Sequence, residues 1–327
     1  MSDIYFQTNY GRLHEKAEGG SMEVFTHKGS FGRIHHMYIK RKIPFQVEGR
    51  TYYDLITPYE YGGPLILDHE PGVKNDLIFE FQAAFGEHCK EHSIVSEFVR
   101  FHPLMGNAQD FKDMYGITLS RTTVGTDLTH TDPIQAEFSR SAKQTIRRQL
   151  RQGMEYKVTP KPATFGDFPR IYYETMARNR ASDFYYFSQN YFQDCLEVFG
   201  DNIVLVEALD QGKTIAAAFF FTYKDLIHAH LSGTLTKYLK LSPAYMLRYA
   251  AAVWGKEHGF RLIHHGGGIT KSKNNPLFLF KKRFGKARFP FYIGKRIWDS
   301  EIYRLLCKAA GATVGRGFFP AYRAAPH

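Results

Sequence analysis

Short apolar runs separated by turn residues give the second half of the chain its clearest pattern. The runs 203–209 and 214–223 flank the turn sequence DQGK, which predicts a β-hairpin, and 226–234 follows as a third strand. A serine and a proline then predict the start of a helix over 243–258, and 261–265 predicts a further strand. This order of strands and helix indicates a mixed sheet covered by helices, which is an α/β fold.

The first half repeats this order more loosely. Strand patterns at 33–42 and 50–57 precede a turn-rich segment, an amphipathic helix over 75–92 and a strand at 94–101. A basic helix over 140–152, with a serine cap before it and a glycine after it, joins the two halves. The sequence therefore predicts two copies of one α/β unit in tandem.

Charge narrows the choice of partners. Lysine and arginine outnumber aspartate and glutamate by 43 to 32 in 327 residues, which gives a net charge of +11. Such a surface favours nucleic acid, nucleotides or acidic lipid headgroups, and the alternative is that the charge serves solubility alone. Arg140, Lys143, Arg147 and Arg151 form one stripe on the junction helix. The stripe predicts a surface for a phosphate-rich partner, or else an ordinary solvated face.

Cysteine usage and apolar run length indicate the compartment. Cys89, Cys195 and Cys307 are few, odd in number and widely spaced, which is typical of a reducing cytoplasm. The first residues lack the pattern of a signal peptide, and the longest wholly apolar run, Ile215–Phe221, is too short to span a membrane. We therefore expect a cytoplasmic protein.

Two kinds of catalytic site are disfavoured by the histidine and serine patterns. His228 and His230 share a strand face and His264 and His265 are adjacent, but no carboxylate or cysteine set completes a metal site. The chain has no Gly-x-Ser-x-Gly elbow for a nucleophilic serine. We expect no metal, because such histidines are more often structural than metal ligands.

The stretch 262–286 combines a strand end, three glycines and a basic cluster. Gly266–Gly268 lets the backbone approach a ligand closely, or simply makes a turn. A short helix then predicts an inward face of Leu277, Phe280 and Phe284, with Lys281 at its border. A border lysine can reach a cleft and donate to developing negative charge, although most basic clusters simply face solvent.

The Gly-Gly-Ile turn and the motif Phe280-Lys-x-x-Phe284 resemble those of the Fem-type (FemABX) aminoacyltransferases. Arg100-Phe-His-Pro103, the basic junction helix and Tyr191-Phe-Gln193 extend the likeness over most of the chain, which also resembles GNAT and BioF2-like acetyltransferase domains. The resemblance implies two tandem GNAT-like domains without a coiled-coil arm. It places the first domain at 1–152, completed by a C-terminal helix at about 298–327, and the second at 153–297.

The same resemblance implies roles for individual residues. Lys281 corresponds to a lysine near the aminoacyl ester, Arg12 to a contact with acceptor phosphates, and Tyr191 to a wall of the acceptor cleft. If a general base assists, the candidates are His102, where some relatives carry aspartate, or the pair His228 and His230. The predicted substrate-binding residues are Arg12, Tyr186, Tyr191, His230, Gly266, Gly267, Gly268 and Phe280. The predicted tRNA-binding residues are Arg140, Lys143, Arg147, Arg151, Lys282 and Arg283.

The implied reaction forms an amide between an amino acid carried by tRNA and an amine, either on a peptidoglycan-precursor peptide or on another metabolite. Aminoacyl-tRNA is the co-substrate and no further cofactor is expected, because the ester is already activated. Relatives acting on nucleotide-linked muropeptide have an arginine where this chain has Tyr185–Phe187, so the acceptor is open. We expect a monomer, with peripheral membrane contact if the acceptor is lipid-linked.

Two other functions compete with this one. An acyl-CoA-dependent N-acyltransferase of the GNAT type would use a glycine-rich turn to hold the CoA diphosphate, and residues 238–244 contain no glycine. A non-catalytic RNA-binding protein would explain the charge alone.

Overall fold

The computed structural model describes residues 3–313 and 317–324. The chain forms two compact units: unit 1 takes in residues 1–120 and 290–327, and unit 2 takes in residues 121–289. These limits differ from the predicted boundaries at 152 and 298. The reason is that Ala142 and Ile146, before the predicted boundary, share a hydrophobic core with Met246 and Ile263 of unit 2.

Unit 1 contributes the first strands and helices of the chain. They are α1 (Thr8–Glu18), β1 (Ser21–Gly29), β2 (Gly32–Val47), β3 (Arg50–Ile56), β4 (Leu65–His69), α2 (Lys74–Glu91), β5 (Ile94–Arg100) and α3 (Asn107–Asp110).

Unit 2 follows, and the chain then returns to unit 1. The elements are β6 (Thr118–Asp127), α4 (Pro133–Glu137), α5 (Arg140–Arg151), β7 (Glu155–Pro160), α6 (Phe168–Arg178), α7 (Gln189–Phe199), β8 (Ile203–Asp210), β9 (Lys213–Tyr223), β10 (Leu226–Thr234), α8 (Ala244–Glu257), β11 (Leu262–Gly267), α9 (Pro276–Lys281), β12 (Ala287–Ile297) and α10 (Ser300–Ala309). Within the described residues, no helix has the length and hydrophobicity needed to cross a bilayer.

The predicted C-terminal helix is shorter than expected. It covers Ser300–Ala309, and Gly311 follows with a φ of 65°, a left-handed conformation that favours glycine and ends helices. A single short helical turn follows at Ala321–Arg323. Residues 314–316 and 325–327 of the predicted segment lie outside the described residues.

In unit 1 the strand order is β1-β2-β3-β5-β12, with β4 also paired to β2. The β3 and β5 strands are parallel and the other pairs are antiparallel. Leu77, Phe81 and Phe85 of α2 are fully buried in one hydrophobic cluster, and Tyr303 and Leu306 of α10 are buried in another. The predicted amphipathic face of α2 is therefore confirmed.

The C-terminal segment of unit 1 is held by a buried carboxylate. Asp54 on β3 is fully buried and accepts from Arg41 Nε at 2.7 Å and from Arg323 Nε at 2.5 Å. Arg323 Nη2 also donates to the Lys42 carbonyl oxygen at 2.8 Å, and the Tyr322 hydroxyl lies 2.7 Å from Ser96 Oγ. These bonds join residues at the end of the chain to the strands of unit 1.

Unit 1 also contains a buried histidine whose protonation opposes folding. His14 on α1 is fully buried, and burial lowers its pKa to about 4 from the ordinary value of 6.5. The unfolded chain therefore takes up a proton at this site below pH 6.5 while the folded chain does not. We expect the free energy of unfolding to fall between pH 6.5 and about 4, by about 1.4 kcal/mol per pH unit from this residue.

Urea unfolding measured across that pH range tests this expectation. His14→Gln should reduce the pH dependence by the contribution of this residue, whereas substitution of the exposed His69 by glutamine should leave it as in the wild type. An unchanged slope in His14→Gln would contradict the assignment.

In unit 2 the strand order is β6-β11-β10-β9-β8-β7. The β10 and β11 strands are parallel, and every other neighbouring pair is antiparallel. The predicted β8–β9 hairpin is confirmed: Gln211 and Gly212 have φ values of 50° and 73°, which suit a two-residue turn. Alternate β9 side chains pack with α8 on one side of the sheet, such as Phe220, and with α6 on the other, such as Phe219.

Candidate functional site

Strands β10 and β11 part within unit 2. They pair over Leu226–His228 with Leu262–His264, after which β10 continues to Thr234 along β9 and β11 continues to Gly267 along β6. Both strands continue where their shared ladder stops, so they leave a gap, which we call the strand opening: residues 229–234 of β10 and 265–267 of β11.

A register shift occurs in each strand at the start of this opening. The shift in β10 falls between Ala229 and Leu231, and the shift in β11 falls between His264 and Gly266. His230 and His265 are thus the bulged residues on the two sides of the opening. Bulges re-aim side chains and are common beside functional sites.

The three glycines at the end of β11 are required by their surroundings. Gly266 has a φ of 70°. A Cβ on Gly267 would lie 2.9 Å from the Thr122 carbonyl oxygen, and a Cβ on Gly268 would lie 2.6 Å from Asn275 Oδ1. The glycines therefore let the turn pack closely against the rest of the chain, and close approach to a ligand stays a prediction.

Lys281 is held against this turn. Asn275 caps α9 by accepting from the backbone N–H groups of Leu277 and Phe278, and Lys281 Nζ donates to the Gly267 carbonyl oxygen at 2.8 Å. The side chain is half-buried, so the predicted border position is confirmed. Arg121 Nη1 similarly donates to the Gly268 carbonyl oxygen at 2.6 Å.

The inward face predicted for α9 is only partly correct. Phe284 is fully buried, and the half-buried Phe280 packs edge-on against both Phe284 and Tyr245 of α8. Leu277 is instead 38% exposed, and the helix ends at Lys281, before Phe284. These aromatic contacts anchor the helix that carries Lys281, and a substrate contact by Phe280 stays a prediction.

Three buried polar side chains form a chain of hydrogen bonds on the α8 side of the opening. Thr126 donates its hydroxyl hydrogen to the Phe284 carbonyl oxygen at 2.5 Å, so it accepts from His265 Nε2 at 2.7 Å. His265 Nδ1 then faces Arg248 Nη1 at 3.4 Å as an acceptor. Burial, together with the charges of Arg248 and Lys281, lowers the pKa of His265 well below its usual range. His265 is therefore neutral.

The α7 side of the opening carries the predicted pair Tyr191 and His230. The Tyr191 hydroxyl lies 2.7 Å from His230 Nε2, and its ring stacks on Phe187 at 4.3 Å between centroids. Tyr186 is 41% exposed and stacks on Tyr173. The structure thus brings Tyr191 and His230 together, and it places Tyr186 on the surface of the same unit.

Two predicted residues belong to unit 1. His102 is 1% exposed, its Nδ1 accepts from the Leu104 N–H at 3.1 Å, and its Nε2 lies 3.2 Å from Asp3 Oδ2. These contacts fix the ring and its tautomer, and a general-base role stays a prediction. Arg12 lies exposed on α1, where its contact with acceptor phosphates also remains a prediction.

The predicted tRNA-binding cations lie in unit 2 and most of them are exposed. Lys143 is half-buried and donates to Gln135, and Arg283 donates to the Tyr245 hydroxyl at 2.6 Å. Within the described ranges, no cation of α5 forms an ion pair with a carboxylate. The exposed members of the set are Arg140, Arg147, Arg151, Lys282 and Arg283.

Sequence reasoning missed Arg248 and Thr126, and the structural role that it indicated for His265 stays a prediction. The adjacent histidines were the one available signal. Nothing in the apolar pattern of α8 distinguishes Arg248 from a surface arginine, since its burial depends on the strand opening beneath it.

Comparison with known proteins agrees with this fold. Residues 138–274 match the model of the acetyltransferase (GNAT) domain. The solved structure of FemX matches with a TM-score of 0.70 at 13% identity, covering 93% of this chain and 94% of FemX. No curated protein sequence matches the chain.

Two further solved structures share the fold. The C-terminal domain (DUF2156) of an Agrobacterium fabrum protein designated a lysylphosphatidylglycerol synthetase has a TM-score of 0.57 at 15% identity, with 90% of this chain and 88% of that chain covered. L-PGS from Bacillus licheniformis has a TM-score of 0.54 at 12% identity, with 91% and 93% covered. The chain is thus a GNAT-fold protein with the architecture of FemX, and the predicted resemblance to the Fem-type proteins is confirmed in its fold.

Proposed function

We propose that the protein transfers an aminoacyl group from aminoacyl-tRNA to an amine and so forms an amide. The observation that carries the proposal is the Lys281 ammonium, which is anchored to the Gly267 carbonyl oxygen at the strand opening. An ammonium has three N–H donors, so it can hold a substrate oxygen while it keeps this anchor. A fixed cation at this place suits the negative charge that builds on a carbonyl oxygen during acyl transfer.

The reaction needs little further machinery. The neutral amine attacks the ester carbonyl carbon, a C–N bond forms, the C–O bond to the ribose breaks, and the amine proton passes to the departing ribose oxygen. An α-amine titrates near ~8, so a useful fraction is neutral without a strong base. The site therefore has to hold two substrates in line and stabilise the oxyanion, tasks that proximity and one preorganised donor supply.

The two sides of the opening suit different substrates. The α8 side presents the cations Lys281 and Arg248, which suit the anionic tRNA end. The α7 side presents Tyr191, His230 and the surface aromatics around Tyr186, which suit an uncharged part of the acceptor. We assign the donor to the first side and the amine acceptor to the second.

The start of α8 argues against acyl-CoA as the donor. A CoA diphosphate bound at the N-terminus of α8 would need backbone N–H groups there that have no other hydrogen-bond acceptor. The N–H groups of Tyr245, Met246 and Leu247 instead donate to the Ser242 and Pro243 carbonyl oxygens. The name of the Agrobacterium relative describes an aminoacylated lipid, which also supports an aminoacyl donor.

A donor assay tests the proposal. The protein would be given total tRNA charged with labelled amino acids or, separately, labelled acyl-CoA, together with a panel of amine acceptors that includes muropeptides. We expect label to reach an amine only from charged tRNA and to be lost after RNase treatment. Transfer from acyl-CoA that resists RNase would establish the alternative enzyme. RNA binding without transfer to any acceptor would favour a non-catalytic RNA-binding protein.

The α5 cations give a separate prediction about tRNA affinity. Arg147 and Arg151 are exposed and lack carboxylate partners in the described part of the chain, so each is suited to neutralise a phosphate. We expect Arg147→Glu/Arg151→Glu to weaken tRNA binding by about 10- to 100-fold and to reduce the slope of log affinity against log salt by about 2.

A titration of tRNA over several salt concentrations measures both quantities. The matched control is Lys213→Glu/Lys224→Glu, which makes the same charge change at exposed turns elsewhere in unit 2. Equal losses in the two double variants would show that only net charge matters, and unchanged binding would return α5 to the role of a solvated face.

A further inference from the structure

Arg248 is a buried cation that forms no ion pair within the described residues. Its side chain is 6% exposed, and its hydrogen-bond acceptor is His265 Nδ1 at the long distance of 3.4 Å. Burial lowers the pKa of the guanidinium to about 10, which reflects the cost of holding this charge away from water. A guanidinium carries five N–H donors, and one neutral ring nitrogen satisfies few of them.

The position of the guanidinium relates it to the strand opening. It lies 5.6 Å from the ring centroid of Phe220 on β9 and contacts His265 on β11. Phe220 pairs with Ala229 of β10, the last residue before the β10 bulge. The guanidinium therefore lies over β10, between its neighbours β9 and β11, at the level where β10 and β11 begin to part.

We propose that Arg248 binds a phosphate group of the acyl donor at the base of the strand opening. A planar guanidinium matches a phosphate with two parallel hydrogen bonds, and the Phe220 ring supports its position. The phosphate supplies the anionic partner that this part of the chain lacks. The assignment of the donor to this side rests on the proposed function, but the phosphate chemistry is shared by the 3′ end of tRNA and by coenzyme A.

The test compares probes with and without phosphate on the full chain at low salt. The RNA pair is the trinucleotide CCA and adenosine, and the coenzyme pair is coenzyme A and pantetheine. The variant is Arg248→Gln, and the matched control is Lys256→Gln, which removes one positive charge from the same helix. Dissociation constants are measured by calorimetry at several salt concentrations.

We expect Arg248→Gln to weaken CCA binding at least 10-fold and to reduce its salt slope by about 1, while adenosine binding is unchanged. Lys256→Gln should leave both constants as in the wild type. If the selective loss appears with coenzyme A instead, Arg248 is still a phosphate site, but the aminoacyl-tRNA donor is excluded. Failure of the proposed function is thereby distinguished from failure of this inference.

Three results would overturn the inference. They are wild-type protein that binds neither phosphate probe, equal affinity of wild type and Arg248→Gln, and an equal loss for the probes with and without phosphate. Thermal unfolding adds an independent measure: removing an unpaired buried charge should leave the Tm unchanged or raise it. A lower Tm would assign Arg248 to structural support of His265. If Arg248→Gln does not fold, Arg248→Lys keeps the charge, loses the planar fork and should still weaken phosphate binding.

Discussion

Replacing Lys281 by methionine should reduce aminoacyl transfer by about 100- to 1,000-fold, with a smaller effect on the KM for either substrate. The magnitude is that of removing one preorganised donor to an oxyanion. Methionine keeps most of the apolar stem, so the contacts of α9 should survive while the bond to the Gly267 carbonyl oxygen is lost. Single-turnover rates with charged tRNA measure the chemical step directly.

Lys282 provides the matched control for this experiment. It is adjacent, carries the same charge and is exposed, whereas Lys281 is half-buried. Lys282→Met should therefore change tRNA affinity slightly and leave the chemical step intact. Equal rates for Lys281→Met and the wild type would remove the ammonium from the mechanism. Equal losses of transfer rate in both variants would mean that the basic cluster around Lys281 acts through its total charge and not through one ammonium group.

The elements with strong local signals were predicted from the sequence nearly to the residue. The β8–β9 hairpin and the α2 helix each combine a clear apolar period with distinct turn or end residues, and such patterns depend on local chemistry. β1 and β7 were not predicted. Their exposure patterns include no buried residue, so neither strand has a buried apolar face to detect in the sequence.

Domain boundaries were less predictable because they depend on packing rather than on local pattern. The junction helix α5 looks like a linker in the sequence, since its composition is basic. Its two buried apolar residues, Ala142 and Ile146, decide that it belongs to unit 2, and two apolar residues are a weak signal in a polar helix.

Some residues of the candidate site are revealed by a sequence motif, and others are brought together only by the fold. Lys281 and the glycines follow one another along the chain, so a motif revealed them. Gly285 is required by packing instead, because a Cβ at this position would lie 2.0 Å from the Gly125 carbonyl oxygen. Arg248, Thr126 and His265 come together from three separate elements, and only the folded chain shows that they form one hydrogen-bonded chain.

Replacing Asp54 by asparagine should lower the free energy of unfolding by about 3–5 kcal/mol. The carboxylate is fully buried between the Arg41 and Arg323 guanidinium groups, so its removal leaves both cations without their partner. Arg323 lies near the end of the chain, so the same substitution should release the C-terminal segment. Urea unfolding measures the first effect, and limited proteolysis near residue 320 measures the second.

Asp68 provides the control, because its ion pair is exposed whereas the ion pairs of Asp54 are buried. It pairs with Arg33 on a strand of the same unit, but both side chains are about half exposed, and Arg33 lowers the pKa of this carboxyl group. Exposed pairs are screened by water and contribute little, so Asp68→Asn should leave stability close to that of the wild type. Similar stability of Asp54→Asn and Asp68→Asn would contradict the stabilising role that we assign to the buried Asp54 carboxylate. Because Asp54 ties the chain end to the strands of unit 1, a large loss confined to Asp54→Asn would show that the C-terminal segment stabilises that unit.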